Sequence, residues 1–142
     1  MKLVDVGVWL AAVWGRHLHQ PVAADWFAEE TDDIAFCRVT QTGLLRLLSN
    51  PAIMGQDAID RSQAWRTYDL LWADERVHWA DEPAELDAVW RAISARDDKS
   101  HKLWTDDYLA AFAQASDAIL VTLDSKVPAR YPSVRVERLR PS

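Results

Sequence analysis

Several features are scarce or missing in this chain. Its 142 residues include one cysteine, Cys37, which excludes an internal disulfide and any multi-cysteine zinc site. The four glycines stand apart from one another, so there is no Gly-rich phosphate loop, and this counts against a nucleotide cofactor. His17 and His19 are two residues apart, not at the i, i+4 spacing by which a helix presents two zinc ligands. No apolar run approaches the roughly 18 residues that a membrane-spanning helix needs. The first residues show no basic segment leading into an apolar core and a small-residue cleavage site, and the expected location is the cytoplasm. Positive charge is also in deficit, with 16 Lys and Arg against 22 Asp and Glu and a net charge of −6. That disfavours a nucleic-acid binder held mainly by backbone contacts. It leaves room for a protein that gathers acids in one pocket and bases around it.

What is present is the material of a core. Hydrophobic residues make up 49% and charged residues 27%, and the length suits a single domain over residues 1–142. Eight tryptophans are many for this size. Trp9, Trp14, Trp26, Trp65, Trp72, Trp90 and Trp104 fall in expected helices or at their ends, where most should serve core or interface. Nothing in the sequence marks any one of them for base stacking. Cys37 lies in a strand-like stretch and reads as an inert core thiol.

The apolar pattern alternates between strand and helix. A strand is expected over residues 2–6, with Gly7 beginning the turn and a helix from Val8 to Trp14. Pro21 suits the first turn of the next helix, which carries Val22, Trp26 and Phe27 on one face and ends near Glu30. Residues 34–37 form a short buried strand. Thr40 is placed to cap a helix through Leu48, stopped by Ser49-Asn50-Pro51. Further helices are expected over 57–74, from Asp81-Glu82-Pro83 to Ala95, and over 104–115. Further strands are expected over 76–79 and 119–123, with an edge strand over 134–138. This is the pattern of an α/β fold: a central parallel sheet of four to five strands with helices on both faces.

One carboxylate stands out. Asp5 interrupts the apolar run Leu3-Val4-Asp5-Val6-Gly7-Val8-Trp9-Leu10, and a buried charge there needs a partner or a position facing a cleft. Asp124 ends the second apolar strand, Ile119-Leu120-Val121-Thr122-Leu123. Sites in parallel sheets lie beyond the carboxyl ends of the strands, so neighbouring strands would turn both acids into one crevice. Asp106 opens the helix with the apolar set Leu109, Ala110, Phe112 and Ala113, and should point towards the sheet. Asp107, about 100° further round, should face outwards. Carboxylates gathered from separate elements suit hard cations such as Mg²⁺ and Mn²⁺. Each acid also has a plainer reading: Asp106 and Asp107 as helix-capping charges, Asp124 as an Asx turn, Asp5 as a structural residue.

Four stretches carry a resemblance. They are the Leu3–Leu10 run above, Thr40-Gln41-Thr42-Gly43-Leu44-Leu45-Arg46-Leu47-Leu48-Ser49-Asn50-Pro51, Lys102-Leu103-Trp104-Thr105-Asp106-Asp107-Tyr108-Leu109-Ala110-Ala111-Phe112-Ala113, and Leu120-Val121-Thr122-Leu123-Asp124. In this order they resemble a PIN-domain ribonuclease, and most closely the VapC-type toxins of bacterial toxin–antitoxin pairs. The likeness runs from Leu3 to about Val136. It implies a PIN-like fold with Asp5, Asp106 and Asp124 as Mg²⁺ or Mn²⁺ ligands. It also implies RNA phosphodiester cleavage by activated water, leaving a 5′-phosphate and a 3′-hydroxyl. A cognate antitoxin that covers the active site, and assembly as a homodimer, are implied as well.

Two positions depart from the family. Gly7 stands where a side chain such as Asn, Ser or Thr usually supports the first aspartate. Gln41 falls nearest the family's second acid, with a catalytic role expected beside the three aspartates. Asp107 is an extra acid that could replace some of the missing charge. Lys99 and Lys102, in the loop leading to Asp106, are the first candidates to hold the RNA backbone, with Arg16, Arg46, Lys126 and Arg130 behind them. Two rivals remain open on sequence: an RNA- or antitoxin-binding protein with weakened catalysis, and a phosphatase using Asp5 as nucleophile. The phosphatase reading suffers because Gly7 occupies the place of its usual second acid.

Overall fold

The computed structural model describes residues 1–141. Five strands, β1 (Lys2–Val4), β2 (Ile34–Phe36), β3 (Val77–Trp79), β4 (Ile119–Thr122) and β5 (Val136–Arg138), form one sheet in the order β3-β2-β1-β4-β5. Every pairing is parallel. β5 is an edge strand, as its alternating sequence suggests. The chain runs outwards from β1 to β3 on one side and returns to β4 and β5 on the other. The order therefore reverses at β1, and the crevice beside it lies between the carboxyl ends of β1 and β4.

Strand residues alternate between two apolar layers. Leu3, Ala35 and Leu120 pack on one side, against α6 (Leu86–Ser94), α7 (Trp104–Ala115) and α8 (Val127–Arg130). Val4, Ile34, Phe36, Val77 and Val121 pack on the other. That second layer is closed by α1 (Val6–Val13), α2 (Gln20–Glu29), α3 (Arg38–Leu48), α4 (Pro51–Met54) and α5 (Arg61–Leu71), with a 3₁₀ turn at Gly55–Asp57. Trp9 is fully buried and stacks on Phe36 with ring centroids 3.9 Å apart. Cys37 is buried, as expected of a core thiol. Among the described residues no helix is long and apolar enough to cross a membrane.

Several boundaries differ from the sequence reading because polar side chains act as caps. Asp5 does not continue the first strand. It caps α1, its Oδ1 accepting the Val6 N–H at 2.7 Å, so the helix starts at Val6 and Gly7 lies inside its first turn. Thr40 sits one turn into α3 and accepts the Cys37 N–H at 3.0 Å, which lets the helix begin at Arg38. Asp60 and Gln63 form a reciprocal capping box that starts α5 at Arg61, four residues later than the periodicity suggests. Gly43 is explained by close approach. A Cβ there would stand 3.0 Å from Val6 Cγ2, where α3 crosses α1 beside Asp5.

The opposite end of the sheet is tied by charge. Lys2 Nζ donates to Glu30 at 2.8 Å and Glu137 at 2.6 Å, and Glu137 also accepts Trp26 Nε1–H at 2.7 Å. Arg76 joins β3 to α2 by donating to the carbonyls of Phe27 and Glu30 while pairing with Asp74 at 2.6 Å.

Candidate active site

β1 and β4 are neighbours, with Val4 level with Val121, so the residues that follow them emerge side by side. The Asp5 N–H donates to the Val121 carbonyl at 2.9 Å, which fixes the height of Asp5 above the sheet. Its carboxylate accepts Val6 N–H through Oδ1 and the Thr122 hydroxyl at 3.0 Å through Oδ2. The same Thr122 hydroxyl accepts the Asp124 N–H at 3.1 Å. Asp124 is exposed, and its Oδ1 accepts the Lys126 N–H at 2.9 Å, the Asx turn that the sequence allowed.

Asp106 approaches from the first turn of α7. Its side chain is 37% exposed and lies 3.5 Å from Arg130 Nη1. Burial pushes the Asp5 carboxyl above the usual carboxylate range, against the pull of its two hydrogen bonds, and the charges of Asp106 and Asp124 push it further. Burial also raises Asp106, with Arg130 opposing and Asp124 and Asp107 reinforcing. Three acids from three distant segments thus share one electrostatic field.

Asp107 departs from expectation. It is buried, and Tyr131 donates its hydroxyl to Asp107 Oδ1. The helical wheel assumed one covered face, whereas α7 is buried almost continuously from Asp107 to Ala113 between the sheet and its neighbours. Asp107 is therefore committed inside the fold, and Asp106 is the acid that reaches the opening.

A hard divalent ion needs oxygen donors and negative charge, and these residues supply both. Burial raises Asp5 and Asp106, and neighbouring carboxylates add a repulsion that a bound cation would relieve. Among the described residues no three His, Cys, Asp or Glu side chains draw together into a ready-made ligand set. The donor chemistry fits such an ion, and the side chains would have to close further to enclose it.

A family model for the PIN domain matches residues 2–132. The chain belongs to the PIN-domain family. It is 37% identical over 131 residues to Ribonuclease VapC41 of Mycobacterium tuberculosis, covering 88% of this chain and 90% of that protein. Solved structures share the fold. DNA-bound VapBC from Salmonella typhimurium matches with a TM-score of 0.70, 14% identity and 96% of each chain. The sarcin–ricin loop cleaving toxin VapC20 of M. tuberculosis matches with a TM-score of 0.67 and 16% identity, over 95% of this chain and 99% of that one.

Within this PIN domain the other expected residues are scattered. Gln41 is buried in α3, its Oε1 accepting Arg38 Nη1–H at 2.6 Å and its Nε2 donating to the Tyr68 hydroxyl at 3.3 Å. Both ends of its amide are thereby engaged, with Arg38 and with Tyr68. Arg16 lies past the far end of α1 from Asp5 and faces Asp57 at 3.5 Å. Lys99 and Lys102 are exposed in the loop before α7. Arg46 lines a groove with Val6, Gly43 and Thr105, whose neighbours in sequence include Asp5 and Asp106.

Two residues matter more than their sequence signal suggested. Arg130, one of the less favoured cations, is the one beside Asp106. Thr122 was read as one more strand residue, yet its hydroxyl supports Asp5, whereas Gly7 has no side chain to do so. Its signal was a single hydroxyl in an otherwise apolar strand.

Proposed function

We propose that this PIN domain is a metal-dependent endoribonuclease of the VapC toxin kind, held in check by a cognate antitoxin. The observation that carries the proposal is the meeting of Asp5 and Asp124 at the Thr122 hydroxyl, with Asp106 electrostatically coupled to both. The name of its 37%-identical relative, a ribonuclease, supports the choice of reaction. Exposed apolar side chains at Ile53, Trp65, Leu70 and Trp72 support a covered surface in an antitoxin complex or a homodimer. We place the activity in the cytoplasm.

Asp5, Asp106 and Asp124 would hold Mg²⁺ or Mn²⁺. A bound divalent cation supplies Lewis acidity, which lowers the pKa of water and stabilises charge on phosphoryl oxygens. The chain's own part is to position and to balance charge. Thr122 locks one Asp5 oxygen, and the α1 backbone locks the other. Arg130 compensates Asp106 before substrate arrives and can turn to a phosphate in the cleft. Arg46 and the exposed Lys99 and Lys102 offer further charge to the RNA backbone.

A second reading, RNA or antitoxin binding with weakened cleavage, draws on Gln41. The α3 helix brings an uncharged amide that is already engaged with Arg38 and Tyr68.

The test is induced expression in a bacterial host, with mapping of new RNA 5′ ends. Cleavage products that appear with the wild-type chain and vanish with Asp5→Asn or a co-expressed antitoxin are expected. No new ends under any of these conditions would count against the nuclease.

A further inference from the structure

Trp104 is the first residue of α7, two positions before Asp106, and it is 56% exposed. Its ring is nevertheless held. The Trp90 Nε1–H donates to the Trp104 carbonyl at 3.3 Å, and the Trp90 ring meets it edge-on, 6.3 Å between centroids and 84° between planes. Trp90 in turn packs edge-on against Tyr108 at 5.4 Å, and the Tyr108 hydroxyl donates to Glu82 at 2.6 Å. An indole braced on one side and open on the other is a preorganised flat surface.

The open side borders a cleft lined by Arg96, Ser100, Trp104, Asp107, Arg130 and Tyr131. Arg130 connects this cleft to the acid site through Asp106. Its acids are restrained: Asp107 accepts from Tyr131, and Asp98 on the rim accepts the Ser100 N–H at 3.0 Å. Two guanidinium groups thus line the same cleft as one exposed indole. Arg96 commits its Nε–H to the Ile93 carbonyl at 2.9 Å and Arg130 has Asp106 at 3.5 Å. A purely apolar partner helix would offer nothing to the other guanidinium N–H groups, whereas a nucleotide brings phosphate oxygens to them and a base to the indole.

Resting on the nuclease reading above, we propose that this cleft is a nucleotide subsite for single-stranded RNA. A base next to the cleaved bond stacks on Trp104, and Arg96 and Arg130 hold the adjoining phosphates. Stacking on an aromatic platform tolerates any base, and paired arginines supply the salt-sensitive part of the affinity.

The experiment measures binding of fluorescein-labelled single-stranded RNA in EDTA by anisotropy, with cleavage of unlabelled RNA in Mg²⁺ and antitoxin binding followed in parallel. Trp104→Ala is expected to weaken RNA binding about ten-fold, and Trp104→Phe about three-fold or less. Antitoxin affinity and the melting temperature should be unchanged. Arg96→Glu, on an exposed loop, should weaken RNA binding and flatten its salt dependence, and this holds whether or not Trp104→Ala folds well. Wild-type RNA affinity in both Trp104→Ala and Arg96→Glu would overturn the subsite while leaving a wild-type nuclease intact. Loss of antitoxin binding alone would assign the face to the protein partner and overturn it equally. A wild-type chain that neither binds nor cuts RNA would remove the nuclease reading itself, and the subsite with it.

Discussion

The Thr122 hydroxyl donates to Asp5 Oδ2 at 3.0 Å while it accepts the Asp124 N–H at 3.1 Å. One buried hydroxyl thus sets the spacing of two acids that lie 119 residues apart in the sequence. Thr122→Val keeps the shape and removes both bonds. RNA cleavage should fall about ten-fold or more, as when partners of metal ligands are removed elsewhere. Stability should drop by about 1–3 kcal/mol in urea unfolding, because Asp5 and the Asp124 N–H are left without their partner. Thr122→Ser should keep most of both.

Asp5 itself is held at an energetic cost. Its folded pKa lies above the usual 3.8 because of burial, with Asp106 and Asp124 adding to the effect. The folded state therefore binds the proton more readily than the unfolded state, and stability falls as pH rises through that window. In metal-free buffer at pH 7, Asp5→Asn should stabilise the fold by about 1 kcal/mol. The gain should fade on acidification below about 4, where the carboxyl is protonated in both states. Thermal unfolding at the two pH values checks the sign.

Asp107 depends on Tyr131. Burial, with help from Asp107, pushes the Tyr131 phenol far up, so it stays protonated and donating at any ordinary pH. Tyr131→Phe leaves Asp107 buried without that donor and should cost about 1–3 kcal/mol. Asp107→Asn combined with Tyr131→Phe should cost less than the sum of the single changes, which a double-mutant cycle measures directly.

Asp74 titrates in the opposite sense from Asp5. Hydrogen bonds from the Arg76 side chain and backbone hold it down at about 2, below its ordinary 3.8. Its contribution is therefore complete above about 4 and is lost as pH falls towards about 2. The stability difference between wild type and Asp74→Ala should be constant from pH 7 to 5 and shrink across that acidic window. The effect is modest because the pair is partly exposed.

The frame of this site was readable from residue order. Two apolar strands that each run into an aspartate mark the carboxyl ends of a parallel sheet, and Asp5 and Asp124 emerge from paired strands. The bounds of α7 follow directly from its periodicity. What escaped depends on contacts between distant segments. Periodicity orients a helix against one face only, and α7 is covered on more than one. Asp107 was accordingly turned outwards, although Tyr131 draws it in. The support for Asp5 was sought two residues along the chain at Gly7, but it arrives from β4. For Gln41, expected beside the aspartates, alignment with an acid gave no sign of the Arg38 and Tyr68 contacts that hold its amide.

The central claim is that Asp5, Asp106 and Asp124 act together on RNA through a divalent ion. Purified wild-type protein and its Asp5→Asn, Asp106→Asn and Asp124→Asn variants should be compared for RNA cleavage in Mg²⁺, in Mn²⁺ and in EDTA. The account predicts cleavage by the wild type with either metal, none in EDTA, and at least about a hundred-fold loss in each variant. Asp5→Asn protein that cuts RNA at the wild-type rate in Mg²⁺ would contradict it.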